Sequence, residues 1–166
     1  IVEMGFPESK MPKFDERKPG FFASLTKDRD EYFNYMQLAV LEAAEQKNVV
    51  IIGRGANTLL QNVPNNISIR LIADEKTRIK RLMEKKSWDE KKAVQRIRES
   101  DANREGFLSS FYNSDIHDIS AYHAVFNTAL ISRENAAKMI ADLVETLVTV
   151  KQEEDGNRMI AELLKG

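Results

Sequence analysis

The stretch "NVVIIGRGANTLL" covers residues 48–60. Its apolar run VVII, residues 49–52, passes directly into Gly53-Arg54-Gly55. Val and Ile are β-branched and favour strands. A short run with no polar alternation predicts a strand covered on both faces, as in a parallel sheet. Gly53 then marks the carboxyl end of that strand, where open parallel sheets bind their ligands. Glycine permits positive φ and close backbone approach. A short helix expected over residues 56–62 would aim free N–H groups at the same spot, which favours anions. Arg54 adds a permanent charge and a planar fork suited to phosphate oxygens. Gly53, Arg54 and Gly55 therefore read as a phosphate or carboxylate pocket. A tight turn with a surface arginine accounts for the same residues, because G-x-G alone is a weak signal. The stretch is not a G-x-x-x-x-G-K-[ST] loop, and no other part of the chain carries one. Thr58 stands where a dinucleotide fingerprint would need its third glycine, so that reading fails.

Working outward, Tyr32, Met36, Val40 and Ala43 form a stripe at helical spacing, with Leu41 and Ala44 beside it. They predict a helix over residues 28–47. "ISIRLIA", residues 67–73, reads as a second strand, and "HAVFN", residues 123–127, as a third. Asp74 is a suitable N-cap for a helix over residues 75–86, with Ile79, Leu82 and Met83 as its apolar positions. Ser87-Trp88-Asp89-Glu90 has the spacing of a capping box, opening a long helix to about residue 111. Ser132 caps a last long helix, with Ala136, Ile140, Leu143, Val144 and Leu147 expected to face inward. Helices alternating with strands predict an α/β fold, a three-layer α/β/α arrangement with a mainly parallel sheet. The organisation expected is an N-terminal arm at residues 1–27, a core at residues 28–150 with a helical segment near 87–118, and a tail at residues 151–166.

The chain has 166 residues, of which 42% are hydrophobic and 31% charged, enough for one domain with a real core. It has no cysteine, which removes disulfides, thiolate metal sites and cysteine nucleophiles. No apolar run approaches a membrane span. These features lead to an expected cytoplasmic location. Net charge is −1, but the charge is uneven. Residues 76–104 hold 11 Lys and Arg against 5 Asp and Glu; the rest of the chain holds 14 against 21. This basic segment reads either as a solvated helical face or as a surface for phosphates.

Within the long helix, Ala93 and Ile97 set a stripe that continues through Asp101, Arg104 and Leu108 toward Phe111. Two charged residues at consecutive inward positions need partners or a ligand. Asp101 and Arg104 are spaced to pair, and Arg98 flanks them. Either a structural ion pair or a charged clamp fits. His117 and His123, the only histidines, have no spacing that suits a standard metal site. Trp88, Phe107, Phe111 and Tyr112 accompany the basic helix, a mixture found in single-strand nucleic-acid binders. Core packing explains them better, and a nucleic-acid partner is not expected.

Taken together, "IIGRGA", "ESDANR" and "HAVFNT" followed by the capping Ser132 resemble the cytidylate kinase-like family. The resemblance runs over roughly residues 15–148 and rests on the joint order and spacing of motifs. It implies a P-loop kinase fold, incomplete at the N-terminus of this chain. It further implies ATP as phosphoryl donor, Mg²⁺, and a nucleoside monophosphate as acceptor. Arg54 matches the arginine that holds the acceptor phosphate. Arg98, Asp101 and Arg104 match the lid segment that closes over the phosphates during transfer. Arg17, in "DERKP", is a further candidate for substrate contact. The glycine-rich ATP loop of the family is absent from these residues, and about 40–50 further residues are expected upstream. Cytidylate kinases proper carry an acidic residue where Gly55 stands. The expected partner is a nucleotide-sized substrate rather than a membrane, with self-association left open. The alternative is a non-catalytic nucleotide- or phosphate-binding module of kinase-like fold.

Overall fold

The structure is a computed structural model and describes residues 26–165. Its elements in chain order are α1 (Thr26–Glu45), α2 (Ala56–Leu59), β1 (Ile69–Ile72), α3 (Glu75–Lys86) and α4 (Glu90–Tyr112). A 3-10 turn (Ile119–Ala121), β2 (Ala124–Asn127), α5 (Arg133–Leu147) and α6 (Val150–Leu163) follow. The protein is thus mostly helical α/β with a small parallel sheet. The two strands pair Ile69 with Ala124 through Ile72 with Asn127. Backbone bonds from His123 N–H to the Ser68 carbonyl and from Thr128 N–H to the Ile72 carbonyl, both 2.8 Å, extend the ladder at each end. Parallel partners need a long crossover, and α3 and α4 supply it.

Helix α1 is the spine. One edge of its stripe, Tyr32 and Met36, is 1% exposed at both residues and packs on Phe107 and Phe111 of α4. Farther along, Val40, Leu41 and Ala44 pack on Ala56, Leu60 and Val63, and on Ile160 of α6. The tail expected at residues 151–166 forms a 14-residue helix, Val150–Leu163. Thr149 and Gln152 close a capping box at its start. Gly156 and Ile160 are its buried residues.

The caps follow the sequence closely at two places. Asp74 accepts from the Thr77 N–H at 2.9 Å, and Ser132 accepts from the Asn135 N–H at 3.1 Å. Asn113 closes α4 in the left-handed conformation. The capping box at residues 87–90 does not form. Ser87 is instead the left-handed residue that ends α3, and Asp89 caps α4 by accepting from Lys92 N–H. An N-cap needs an extended backbone, so a residue spent on ending α3 cannot start α4. On α5, Ala136 is buried as expected, but Val144 and Leu147 are exposed.

The larger correction concerns residues 49–52. They are not a strand, and the sheet among the described residues has two strands rather than three. Val50 is 89% and Ile52 88% exposed, while Ile51 packs against the second core cluster. A strand requires a hydrogen-bonding neighbour, and the ladder here joins β1 to β2 alone. Lys47 and Asn48, both at positive φ, turn the chain out of α1 just before this segment. The arm at residues 1–25, including Arg17, lies outside the described residues.

Ile160→Ala should lower stability by about 2–5 kcal/mol, as for other buried large-to-small changes. Urea unfolding measures it. A change below about 0.5 kcal/mol would mean that α6 does not complete the core.

Candidate functional site

A cleft of about 470 Å³ opens at the carboxyl ends of β1 and β2. Ile72 and Ala73 from the end of β1 and Thr128 from the end of β2 form its floor. Four arginines line it: Arg70 from β1, Arg78 and Arg81 from α3, and Arg104 from α4. Asp101 and Glu105 supply the only carboxylates among the lining residues, so the cleft carries a net +2. This is the place where open parallel sheets bind ligands, and its charge suits an anion.

The arginines are oriented by the fold. Arg78 and Asp101 form a two-pronged pair across α3 and α4, Nη1 to Oδ2 at 2.8 Å and Nη2 to Oδ1 at 2.6 Å. Hydrogen bonding to Arg78 holds the Asp101 carboxyl below its ordinary value, and the charges of Arg78, Arg104 and Arg70 add to this. The same bond raises Arg78. Arg81 donates to the Thr128 hydroxyl at 2.9 Å and to the Thr128 carbonyl at 2.5 Å, tying α3 to the end of β2. Arg70 donates to the Ile116 carbonyl and, at 3.3 Å, to the Tyr122 hydroxyl. Arg104 is half-exposed and reaches only along its own helix, to Asp101 at 3.3 Å and to Ser100 at 2.8 Å. Asp101 and Arg104 were expected to face inward; they face the cleft and its solvent instead. Their stripe leaves the core because α3, not a hydrophobic layer, lies opposite.

Asp101 and Arg104 are thus brought together, while Arg98 stands apart. Its side chain is 74% exposed, lies 3.7 Å from Glu75, and does not line the cleft. Arg54 does not line it either. Arg54 is half-buried in the turn after residues 49–52, and its Nη1 donates to the Tyr32 hydroxyl at 3.3 Å. The short helix expected over residues 56–62 forms over Ala56–Leu59 only. Helix α2 is a single turn of four residues, and the Ala56 N–H bonds back to the Gly53 carbonyl at 3.1 Å.

Sequence reasoning missed Arg70, Arg78 and Arg81. A signal existed: Arg78 and Arg81 are three apart and share a helical face, and Arg70 interrupts an apolar strand. His123 has a structural contact, its Nδ1 accepting from the Ser68 N–H at 3.0 Å. Among the described residues no group of three or more His, Asp or Glu is placed to hold a metal. No helix of the described residues is long and apolar enough to cross a membrane.

With the geometry in place, comparison with known proteins is decisive at the family level. A family model described as the cytidylate kinase-like family matches residues 1–130. The chain belongs to the cytidylate kinase-like family. It is 26% identical to a cytidylate kinase of Methanocaldococcus jannaschii over 87% of this chain and 76% of that one. It is 29% identical to a cytidylate kinase of Pyrobaculum islandicum over 90% and 75%, respectively. Among solved structures, an uncharacterized protein from Eubacterium ventriosum matches with a TM-score of 0.63 at 27% identity. That match covers 79% of this chain and 73% of the other. Membership of a kinase-like family agrees with a cationic cleft at the strand ends.

Asp101 carries the acid sensitivity of this site. Its folded pKa lies below the ordinary 3.8, so its contribution is full above the ordinary range and fades as pH falls through the lower native value. The gap in urea midpoint between wild type and Asp101→Asn should be constant above about pH 5 and shrink below about pH 4. Because the side chain is 43% exposed, solvent screening keeps the gap small. A gap that stays constant down to pH 2 would exclude titration of this pair.

Proposed function

We propose that this protein is an ATP-dependent nucleoside monophosphate kinase with a cytidylate-like acceptor. The observation that carries this reading is the cleft with four arginines at the carboxyl ends of two parallel strands. Family membership and relatives named cytidylate kinase support it.

The reaction moves the γ-phosphoryl of ATP onto a phosphate oxygen of the acceptor, giving ADP and a nucleoside diphosphate. Charge spreads over the transferred group, so an enzyme acts mainly by positioning and by electrostatic stabilisation. In this reading Arg78 and Arg81 are pre-oriented cations, aimed by Asp101 and Thr128 respectively. Arg104 exchanges its contacts on the helix surface for phosphate oxygens, at little loss, since exposed pairs contribute under about 1 kcal/mol. Arg98 is a second exposed cation on the same helix, 3.7 Å from Glu75. Arg54, between Gly53 and Gly55, holds the acceptor phosphate. Magnesium, implied by the resemblance, would neutralise charge on the donor phosphates and take mostly phosphate and water oxygens. The cleft's carboxylates do not form a protein cage for it, because Asp101 is already committed to Arg78.

The alternative reading is a non-catalytic nucleotide-binding module of kinase-like fold. Turnover separates the two. The natural full-length protein with ATP, Mg²⁺ and each common monophosphate in turn should form ADP with at least one of them. Turnover with none assigns the cleft to binding alone. Calorimetric titration tests Arg54 directly. Arg54→Ala should weaken cytidine 5′-monophosphate binding roughly 10- to 100-fold, the range for a lost charged hydrogen bond, with a near-native unfolding midpoint. Unchanged affinity would remove Arg54 from the site.

A further inference from the structure

Gly53, Arg54 and Gly55 stand at φ +79°, +57° and +69° in succession. The glycines adopt this backbone freely. Arginine there costs about 1 kcal/mol or more and persists only where surroundings impose it. Tyr112, the last residue of α4, imposes it. Its hydroxyl donates to the Arg54 carbonyl at 2.9 Å. Its ring fills the space over Gly55, so closely that a Cβ there would lie 2.1 Å from Tyr112 Cε2. The ring is itself held, edge-on to Phe33 at 5.1 Å and tilted against Phe107 at 6.3 Å between centroids. Burial, with the nearby Tyr32 adding to it, pushes the Tyr112 phenol up to about 12. The hydroxyl therefore remains a donor at any working pH.

We propose that Tyr112 is the positioning residue for Arg54: it grips the arginine's carbonyl, occupies the side-chain space of Gly55, and so fixes the backbone turn from which Arg54 presents its guanidinium to the acceptor phosphate. This rests on the reading of Arg54 as the phosphate ligand. The same helix carries Asp101 and Arg104 eleven and eight residues earlier, roughly 12–17 Å along its axis. One continuous helix thus bears both the turn's clamp and part of the arginine cleft.

Tyr112→Phe keeps the ring and deletes only the hydroxyl. Cytidine 5′-monophosphate is titrated calorimetrically into wild type, Tyr112→Phe, Arg54→Ala and the double variant. Tyr112→Phe should weaken binding about five- to tenfold, the scale of one hydrogen bond. Its thermal midpoint should fall by about 2–4 °C, the shift one lost hydrogen bond produces in a chain of this size. In the Arg54→Ala background it should add nothing, because Tyr112 acts through Arg54. A purely structural role would weaken binding equally in both backgrounds, and that result overturns the proposal. Unchanged affinity in Tyr112→Phe beside a clear loss in Arg54→Ala overturns the positioning role and leaves Arg54 as the ligand. No loss in Arg54→Ala, or no binding by wild type, overturns both.

Discussion

The two-pronged bond between Arg78 and Asp101 is the constraint on which the cleft depends. It joins α3 to α4, the two helices of the crossover between parallel strands. Arg81 ties α3 to the end of β2 through Thr128. Helix α3 is thereby fixed on two sides, and the cleft keeps its shape with like charges side by side. Four guanidinium groups in one cleft repel each other. One bound carboxylate offsets part of that repulsion, and the remaining net charge is what makes the cleft attractive to an anion.

Much of this was legible in the sequence, and the failures have physical reasons. Helices announced by periodicity and caps, such as α1 and α3, sit where the residues predict. Those signals are local, since a cap satisfies N–H groups within its own first turn. The run at residues 49–52 misled because strand formation is not local. Apolar β-branched residues state a preference, but the ladder requires a neighbour, and the described residues offer these none. Ser87 misled because one residue cannot both end a helix in the left-handed region and start another from an extended one.

The site was half legible for the same reason. Asp101 and Arg104 stood out as charges on an apolar stripe. Their most important companions, Arg78 and Arg81, lie on a different helix, and only the packing of α3 on α4 brings them in. Spacing along one helix shows which residues share a face, not what stands opposite. Arg54 stood out through its glycines, yet what surrounds it came from elsewhere: Tyr32 from α1 and Tyr112 from α4.

The close approach of an aromatic ring to Gly55 also limits how this protein could have changed over time. Any side chain at that position would first collide with the ring of Tyr112. It would also strain a backbone held in the left-handed region. Residues 55 and 112 therefore constrain one another, and neither can be exchanged without regard to the other.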